Sequence, residues 1–253
     1  MQLDGKTILV TGGGHGIGRA YCHRIAAEGG RVGVLDIDGE AARAVAAAIG
    51  ERNGAALALE TDVTDLTALE TAAGQLAERF GAINGLVNNA GMLTIRPISR
   101  VGFELIPDAE WDELFRVNVK GTWHGCRAAA PHLRRAGGGS IVNIGSGTFY
   151  YGSPTRLHYV ASKGAVIAMT RVLSRELGSD AIRVNTLVPG STLSEDDPSP
   201  EIVEMRKAQL GNRSLKRVEL PEDLVGALVF LLSDDSRFVT GQALVVEGGG
   251  ILH

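Results

Sequence analysis

Seven short apolar runs punctuate this chain, and between successive runs the hydrophobic period changes from strand-like to helical. The runs are Thr7–Val10, Arg31–Asp36, Ala55–Thr61, Gly85–Asn88, Ser140–Ile144, Arg183–Val188 and Ala243–Val246. They are rich in Val, Ile and Leu and mostly do not alternate with polar residues, the pattern of strands buried on both faces. Helical patterns lie near 16–29, 39–50, 66–80, 109–135, 157–178 and 222–233. Strands that alternate with helices must run parallel and cross over with a right hand. The expected product is an α/β sheet of about seven strands with helices on both faces.

No linker or internal repeat interrupts the pattern, so one domain over 1–253 is expected. A chain of 253 residues, 44% of them hydrophobic, is long enough for one large core. The formal net charge of −4 argues against nucleic acid or an anionic membrane as the main partner. No run approaches the roughly 20 apolar residues that span a bilayer. Lys6 leads straight into the first strand, so no secretory leader is expected. Cys22 and Cys126 fall in separate helical patterns and read as small core residues. A reducing cytoplasm is the expected compartment. The six histidines show no metal-ligand spacing, and no metal is expected.

The first strand turns into the first helix through Thr11-Gly12-Gly13-Gly14-His15-Gly16-Ile17-Gly18. Glycines there permit a tight turn and let backbone N–H groups approach a pyrophosphate at a helix N-terminus. Asp36 ends the second strand, eighteen residues after Gly18. A carboxylate there hydrogen-bonds the hydroxyls of an adenosine ribose and repels a 2′-phosphate. Positions 37 and 38 are Ile and Asp, with no Lys or Arg to hold that phosphate. NAD is therefore expected over NADP, with His15 and Arg19 the only nearby groups that would soften the preference.

Tyr159 and Lys163 stand four apart on a helix and share a face, with Ser146 thirteen residues before the tyrosine. A tyrosine of ordinary pKa about 10 is a poor base at neutral pH. A nearby ammonium and a positive nicotinamide ring favour its phenolate. Tyr159 then exchanges a proton with a substrate hydroxyl, while Ser146 hydrogen-bonds the same oxygen. Asn118 interrupts the apolar face formed with Val117 and Val119.

Taken together, the T-G-x-x-x-G-x-G turn, Asn118, Ser146 and the Tyr159-x-x-x-Lys163 pair resemble the short-chain dehydrogenase/reductase family over nearly the whole chain. The resemblance implies a Rossmann-like, doubly wound parallel sheet and a nicotinamide cofactor. It implies that Asn118, Ser146, Tyr159 and Lys163 are catalytic, Asn118 through a water-mediated relay to the lysine. It implies a cofactor shell of Gly12, His15, Gly16, Ile17, Gly18, Asp36 and Ile37. To these it adds Asp62 and Val63 at the adenine edge, Asn89, Ala90 and Gly91 of an N-N-A-G motif, Pro189 and Gly190 at the carboxamide, and Tyr159 and Lys163 themselves. Thr192 and Ser194 belong to the same shell but depart from the family pattern, which has a branched apolar residue and a threonine there.

Function within that frame is expected to be NAD-dependent interconversion of a secondary alcohol and its ketone. Ser146, Thr148, Phe149 and Tyr159 are the expected substrate contacts. Phe149-Tyr150-Tyr151 suggest a wall for a bulky apolar or aromatic substrate, or equally loop packing or a subunit interface. The alternatives are a 3-oxoacyl-thioester reductase, a sugar or polyol dehydrogenase, and a nucleotide-binding regulator without turnover. Residues 191–215, with acids at Glu195, Asp196 and Asp197, are expected to form a substrate lid. Related enzymes are commonly tetramers. The segment Gly248-Gly249-Gly250-Ile251-Leu252-His253 is expected to pack on a neighbouring subunit of a homotetramer, or else on its own chain.

Overall fold

A computed structural model describes residues 1–93 and 97–252. The elements run β1 (Thr7–Thr11), α1 (Gly16–Ala27), β2 (Arg31–Asp36), α2 (Gly39–Glu51), β3 (Ala55–Glu60), α3 (Leu66–Phe80) and β4 (Gly85–Asn88). There follow α4 (Asp108–Phe115), a π-helical turn (Arg116–Lys120), α5 (Gly121–Arg135), β5 (Gly139–Ile144), the short α6 (Thr148–Tyr151) and α7 (Leu157–Glu176). The chain closes with β6 (Ile182–Pro189), α8 (Pro200–Lys207), α9 (Glu222–Leu232) and β7 (Ala243–Val246).

All seven strands pair in parallel, in the order β3-β2-β1-β4-β5-β6-β7. This is the doubly wound arrangement of a Rossmann-like sheet. Side chains alternate across each strand, so Ile8 and Val10 enter one core layer while Leu9 enters the other. The first layer packs under α1, α2 and α9 through Ile25, Val45 and Leu228. The second packs under α3 and α5 through Leu69, Leu76 and Leu133. Each such fully buried side chain contributes roughly 1.5–3 kcal/mol. The strand order reverses between β1 and β4, and a crevice opens there at the carboxyl ends of the strands. The cysteines are free and buried. No helix of the described residues is long and apolar enough to cross a membrane.

The single helix expected over 109–135 is instead broken by the π-helical turn at Arg116–Lys120. Each flanking helix keeps its own apolar pattern, and the one-residue phase shift between them is not visible within either. Here the Thr122 hydroxyl donates to the Asn118 carbonyl at 2.8 Å, and the Asn118 side chain bridges two other segments. Those bonds hold the widened turn in place.

The terminal segment is tied to its own chain as far as Ile251. The Glu247 carboxylate accepts from Gly250 N and Ile251 N, and Ser214 Oγ donates to Gly249 O at 2.9 Å. Leu252 is 85% exposed, and His253 lies outside the described residues. Within the connection over 92–108, positions 94–96 also lie outside them.

Candidate active site

β1 delivers the chain into the glycine turn at the point where the sheet reverses. Gly12 and Gly16 have φ of +64° and +49°, conformations that L side chains rarely adopt. A Cβ at Gly18 would lie 1.9 Å from the Gly12 carbonyl oxygen. The turn is braced from β4: Asn89 Nδ2 donates to Gly12 O at 2.8 Å, and Thr11 Oγ1 accepts from Asn89 N and Ala90 N at 3.1 and 3.2 Å. Asn88 has a separate, structural task. Its Nδ2 donates to Asn143 Oδ1 at 2.9 Å and to the Thr122 carbonyl at 3.2 Å, joining β4, β5 and α5.

Helix α1 begins with no side-chain cap and no acid in its first turn. Its leading N–H groups are thus left for an anion. Asp36 is 5% exposed and ends β2 beside them. Its Oδ2 accepts from Gly14 N at 2.9 Å and its Oδ1 from Asp38 N at 3.1 Å, which fixes the carboxylate at the rim of the glycine turn. His15 turns its ring to Asp38 at 3.1 Å. A cleft of about 700 Å³ runs from this end past Ile17, Ile37, Asp62, Val63, Ala90 and Gly91 to the ends of β5 and β6. A crowded glycine turn, an uncapped helix start and a carboxylate at the strand end fit a dinucleotide.

The far end of the cleft gathers Ser146 from β5 and Tyr159 and Lys163 from α7. Lys163 Nζ donates to the Ile144 carbonyl at 2.9 Å and lies 5.8 Å from the centroid of the Tyr159 ring. Burial lowers its ammonium from the ordinary 10.5 to about 8. Burial raises Tyr159, while the Ser146 hydroxyl and then the Arg156 and Arg206 guanidiniums pull it back. Ser146 Oγ is held by Thr148, whose hydroxyl donates to it at 2.9 Å. Asn118 stands behind the cleft wall: its Oδ1 accepts from Met92 N at 2.8 Å and its Nδ2 donates to Ser162 Oγ at 3.2 Å. It therefore fixes the π-helical turn against α7 and the segment after β4.

Of the three aromatics after Ser146, Tyr151 alone is among the cleft-lining residues, and its hydroxyl donates to Glu247 at 2.5 Å. Phe149 is 41% exposed, packs on Gly164 and Tyr150, and is not among the cleft-lining residues. His158 is fully buried and bonds Glu110 at 2.7 Å, clasping α4 to α7 away from the cleft.

The segment after β6 covers the glycine turn. Thr192 and Ser194 line the cleft together with Pro189 and Gly190. The hydroxyl of Thr192 donates to buried Glu219 at 2.6 Å, and the same carboxylate oxygen accepts from Gly190 N at 3.1 Å. Arg213 completes that knot at 3.2 Å from Glu219. Farther along, Arg19 of α1 pairs with Asp196, and Arg206 of α8 pairs with Glu195 at 2.9 Å. Arg206, Arg213 and Glu219 escaped the sequence reading, because isolated charges carry no spacing that marks them; Glu195 entered it only as one acid of the expected lid. Among the described residues no group of three or more His, Cys, Asp or Glu stands together to hold a metal ion.

Comparisons with known proteins agree with this geometry. Residues 12–250 match the family model described as enoyl-(acyl carrier protein) reductase. A probable short-chain type dehydrogenase/reductase of Bradyrhizobium diazoefficiens is 40% identical, over 100% of this chain and 89% of that protein. A probable galactose dehydrogenase of Rhizobium meliloti is 36% identical, over 98% of this chain and 96% of that protein. A cyclopentanol dehydrogenase of Comamonas is 34% identical, over 98% of both chains.

Proposed function

The chain belongs to the short-chain dehydrogenase/reductase family, and from that membership we propose that it interconverts a secondary alcohol and its ketone with NAD. One observation carries the reading: Ser146, Tyr159 and Lys163 converge on the wall of a cleft whose other end is a glycine turn beside Asp36. The bound cofactor supplies a nicotinamide ring that accepts or returns hydride. Gly12, Gly16, Gly18 and the start of α1 hold its pyrophosphate, and Asp36 its adenosine ribose. Lys163, whose ammonium still dominates at neutral pH, would hold the second ribose beside Tyr159. During oxidation the Tyr159 phenolate takes the hydroxyl proton while Ser146 donates a hydrogen bond to the same oxygen. Asn118 keeps α7 in register for that transfer and anchors a relay to Lys163. Met92, Leu93 and the ring of Tyr151 give the cleft an apolar wall, which suits a substrate with an apolar body. Residues 191–215 act as the lid, and the enzyme assembles as a homotetramer.

The test is Tyr159→Phe, which keeps the ring and removes the proton. Turnover of a secondary alcohol with NAD is expected to fall by at least about 10²-fold, the usual worth of a general acid/base. A variant within a few-fold of the parent would end the assignment. A sugar or polyol substrate is the second reading, favoured by the polar lining of Ser153, Gln209 and Asn212.

A further inference from the structure

The two ends of the cleft differ in charge. At the adenosine end Asp36 and Asp62 are acidic; toward Tyr159 the lining carries the Lys163 ammonium and the guanidiniums of Arg156, Arg206 and Arg213. Lys163 donates to the Ile144 carbonyl, and two of the guanidiniums are neutralised within the protein, Arg213 by Glu219 and Arg206 by Glu195. Arg156 is not. It lies three residues before Tyr159, at the residue capping α7, half-buried and lining the cleft. Among the described residues its side chain has neither hydrogen bond nor ion pair. Its charged neighbours are Arg100 and Arg206, both of its own sign, with Tyr159 facing it. Arg206 is also incompletely satisfied: Nη1 and Nη2 reach Ser191 and Glu195 at 3.0 and 2.9 Å, but the buried Nε has no partner among the described residues.

A cation withdrawn from water and set among other cations is unfavourable unless something supplies the opposite charge. Within the described residues nothing does. A guanidinium fork fits a carboxylate or another oxyanion bidentately. We propose that Arg156, backed by Arg206, binds an anionic group of the substrate, so that the alcohol presented to Tyr159 is a small organic acid carrying its charge away from the carbinol. This deepens the dehydrogenase reading and rests on it. The apolar wall takes the carbon skeleton between the two polar ends. A carboxylate, a sulfonate and a phosphate ester share the chemistry required.

The experiment compares β-hydroxybutanoate, and its sulfonate and phosphate counterparts, with the neutral amide of the same skeleton. Each is assayed with NAD on the parent, Arg156→Met and Arg156→Lys. The parent is expected to prefer at least one anion over the amide by at least about tenfold in kcat/KM, the worth of one charge-assisted contact. In Arg156→Met that ratio collapses toward unity, chiefly through KM; in Arg156→Lys much of it returns. Calorimetric titration of acetoacetate into the parent and the Met variant, each with oxidised NAD, forms a dead-end complex and gives a readout apart from turnover. Oxidation of the amide with no preference for any anion overturns the inference and leaves the dehydrogenase reading standing. Preference retained in Arg156→Met overturns it equally, since the charge is then read elsewhere. If neither substrate is oxidised but acetoacetate binds and requires Arg156, the dehydrogenase reading falls and the anion site stands. If it neither turns over nor binds, both fall.

Discussion

Lys163 Nζ donates to the Ile144 carbonyl at 2.9 Å, and this bond ties α7 to the end of β5 just before Ser146. The bond only partly offsets the burial of the charge, which lowers the ammonium to about 8 from 10.5. The unfolded chain therefore binds more protons than the folded one between those values, so this group adds stability as pH rises through them. Its full cost is felt below about 8 and vanishes above 10.5. Lys163→Met is expected to raise the melting temperature of the cofactor-free protein at pH 7. The cost removed is about 3 kcal/mol by pKa arithmetic, less about 1 kcal/mol for the orphaned carbonyl. Turnover should be lost. Calorimetry at pH 7 and pH 10 checks the sign: the advantage of the variant should shrink at the higher pH, and a less stable variant at pH 7 would refute it.

Asp36 has two duties, and a substitution must keep one to test the other. Asp36→Asn keeps one acceptor, for the Gly14 N–H of the glycine turn, at the loss of the bond from Asp38 N, and removes the charge. The ratio of kcat/KM for NAD over NADP is expected to fall by about tenfold or more, equivalent to some 1.4 kcal/mol. An unchanged ratio would show that the carboxylate does not select the cofactor.

Lid closure should yield more to Glu195 than to Arg19. The Arg19–Asp196 side chains are 38% and 58% exposed, and pairs of that kind contribute about 0–1 kcal/mol. Arg19→Met should thus raise KM for NAD by less than about fivefold. The Arg206–Glu195 pair is 15% and 16% exposed, so Glu195→Ala strands a largely buried guanidinium and should loosen the segment further. Hydrogen exchange over 191–212, with and without NAD, reads both variants. Equal protection in every state would remove the lid.

Neighbouring residues of the terminal segment should separate two effects. The Ile251 side chain reaches to 3.3 Å of where a Cβ would stand on Gly147, next to Ser146, whereas Leu252 is 85% exposed. Ile251→Ala is expected to raise KM with the particle mass unchanged. Leu252→Asp is expected to weaken the proposed tetramer, as read by light scattering. A tetramer indifferent to that charge would leave Leu252 outside the interface.

The sheet was legible because a buried parallel strand leaves a run of Val, Ile and Leu that few other structures need. The glycine turn and the convergence of Tyr159 and Lys163 on one helix face were legible because spacing alone sets them, one turn of backbone and one turn of helix. The π-helical turn at Asn118 was not, since one additional residue leaves the apolar pattern of α4 and α5 intact. Nor was the knot at Glu219. Its partners Gly190, Thr192 and Arg213 meet it only after β6 has entered the sheet, and each alone reads as an ordinary loop residue. The direction of the Phe149 ring was not legible either: adjacency to Ser146 along the chain says nothing of which way a short helical turn faces.

The widened turn between α4 and α5 also sets a limit on what the gene can lose. Each residue added to or removed from a helix rotates everything beyond it by about 100°. Restoring regular winding by deleting one position in 116–120 would swing either Asn118 away from Met92 and Ser162 or the whole of α5 away from the sheet. Point substitutions on the outer surface of this stretch change one contact each, whereas a single-codon deletion changes the phase of a helix. Length, more than composition, is the inherited quantity here.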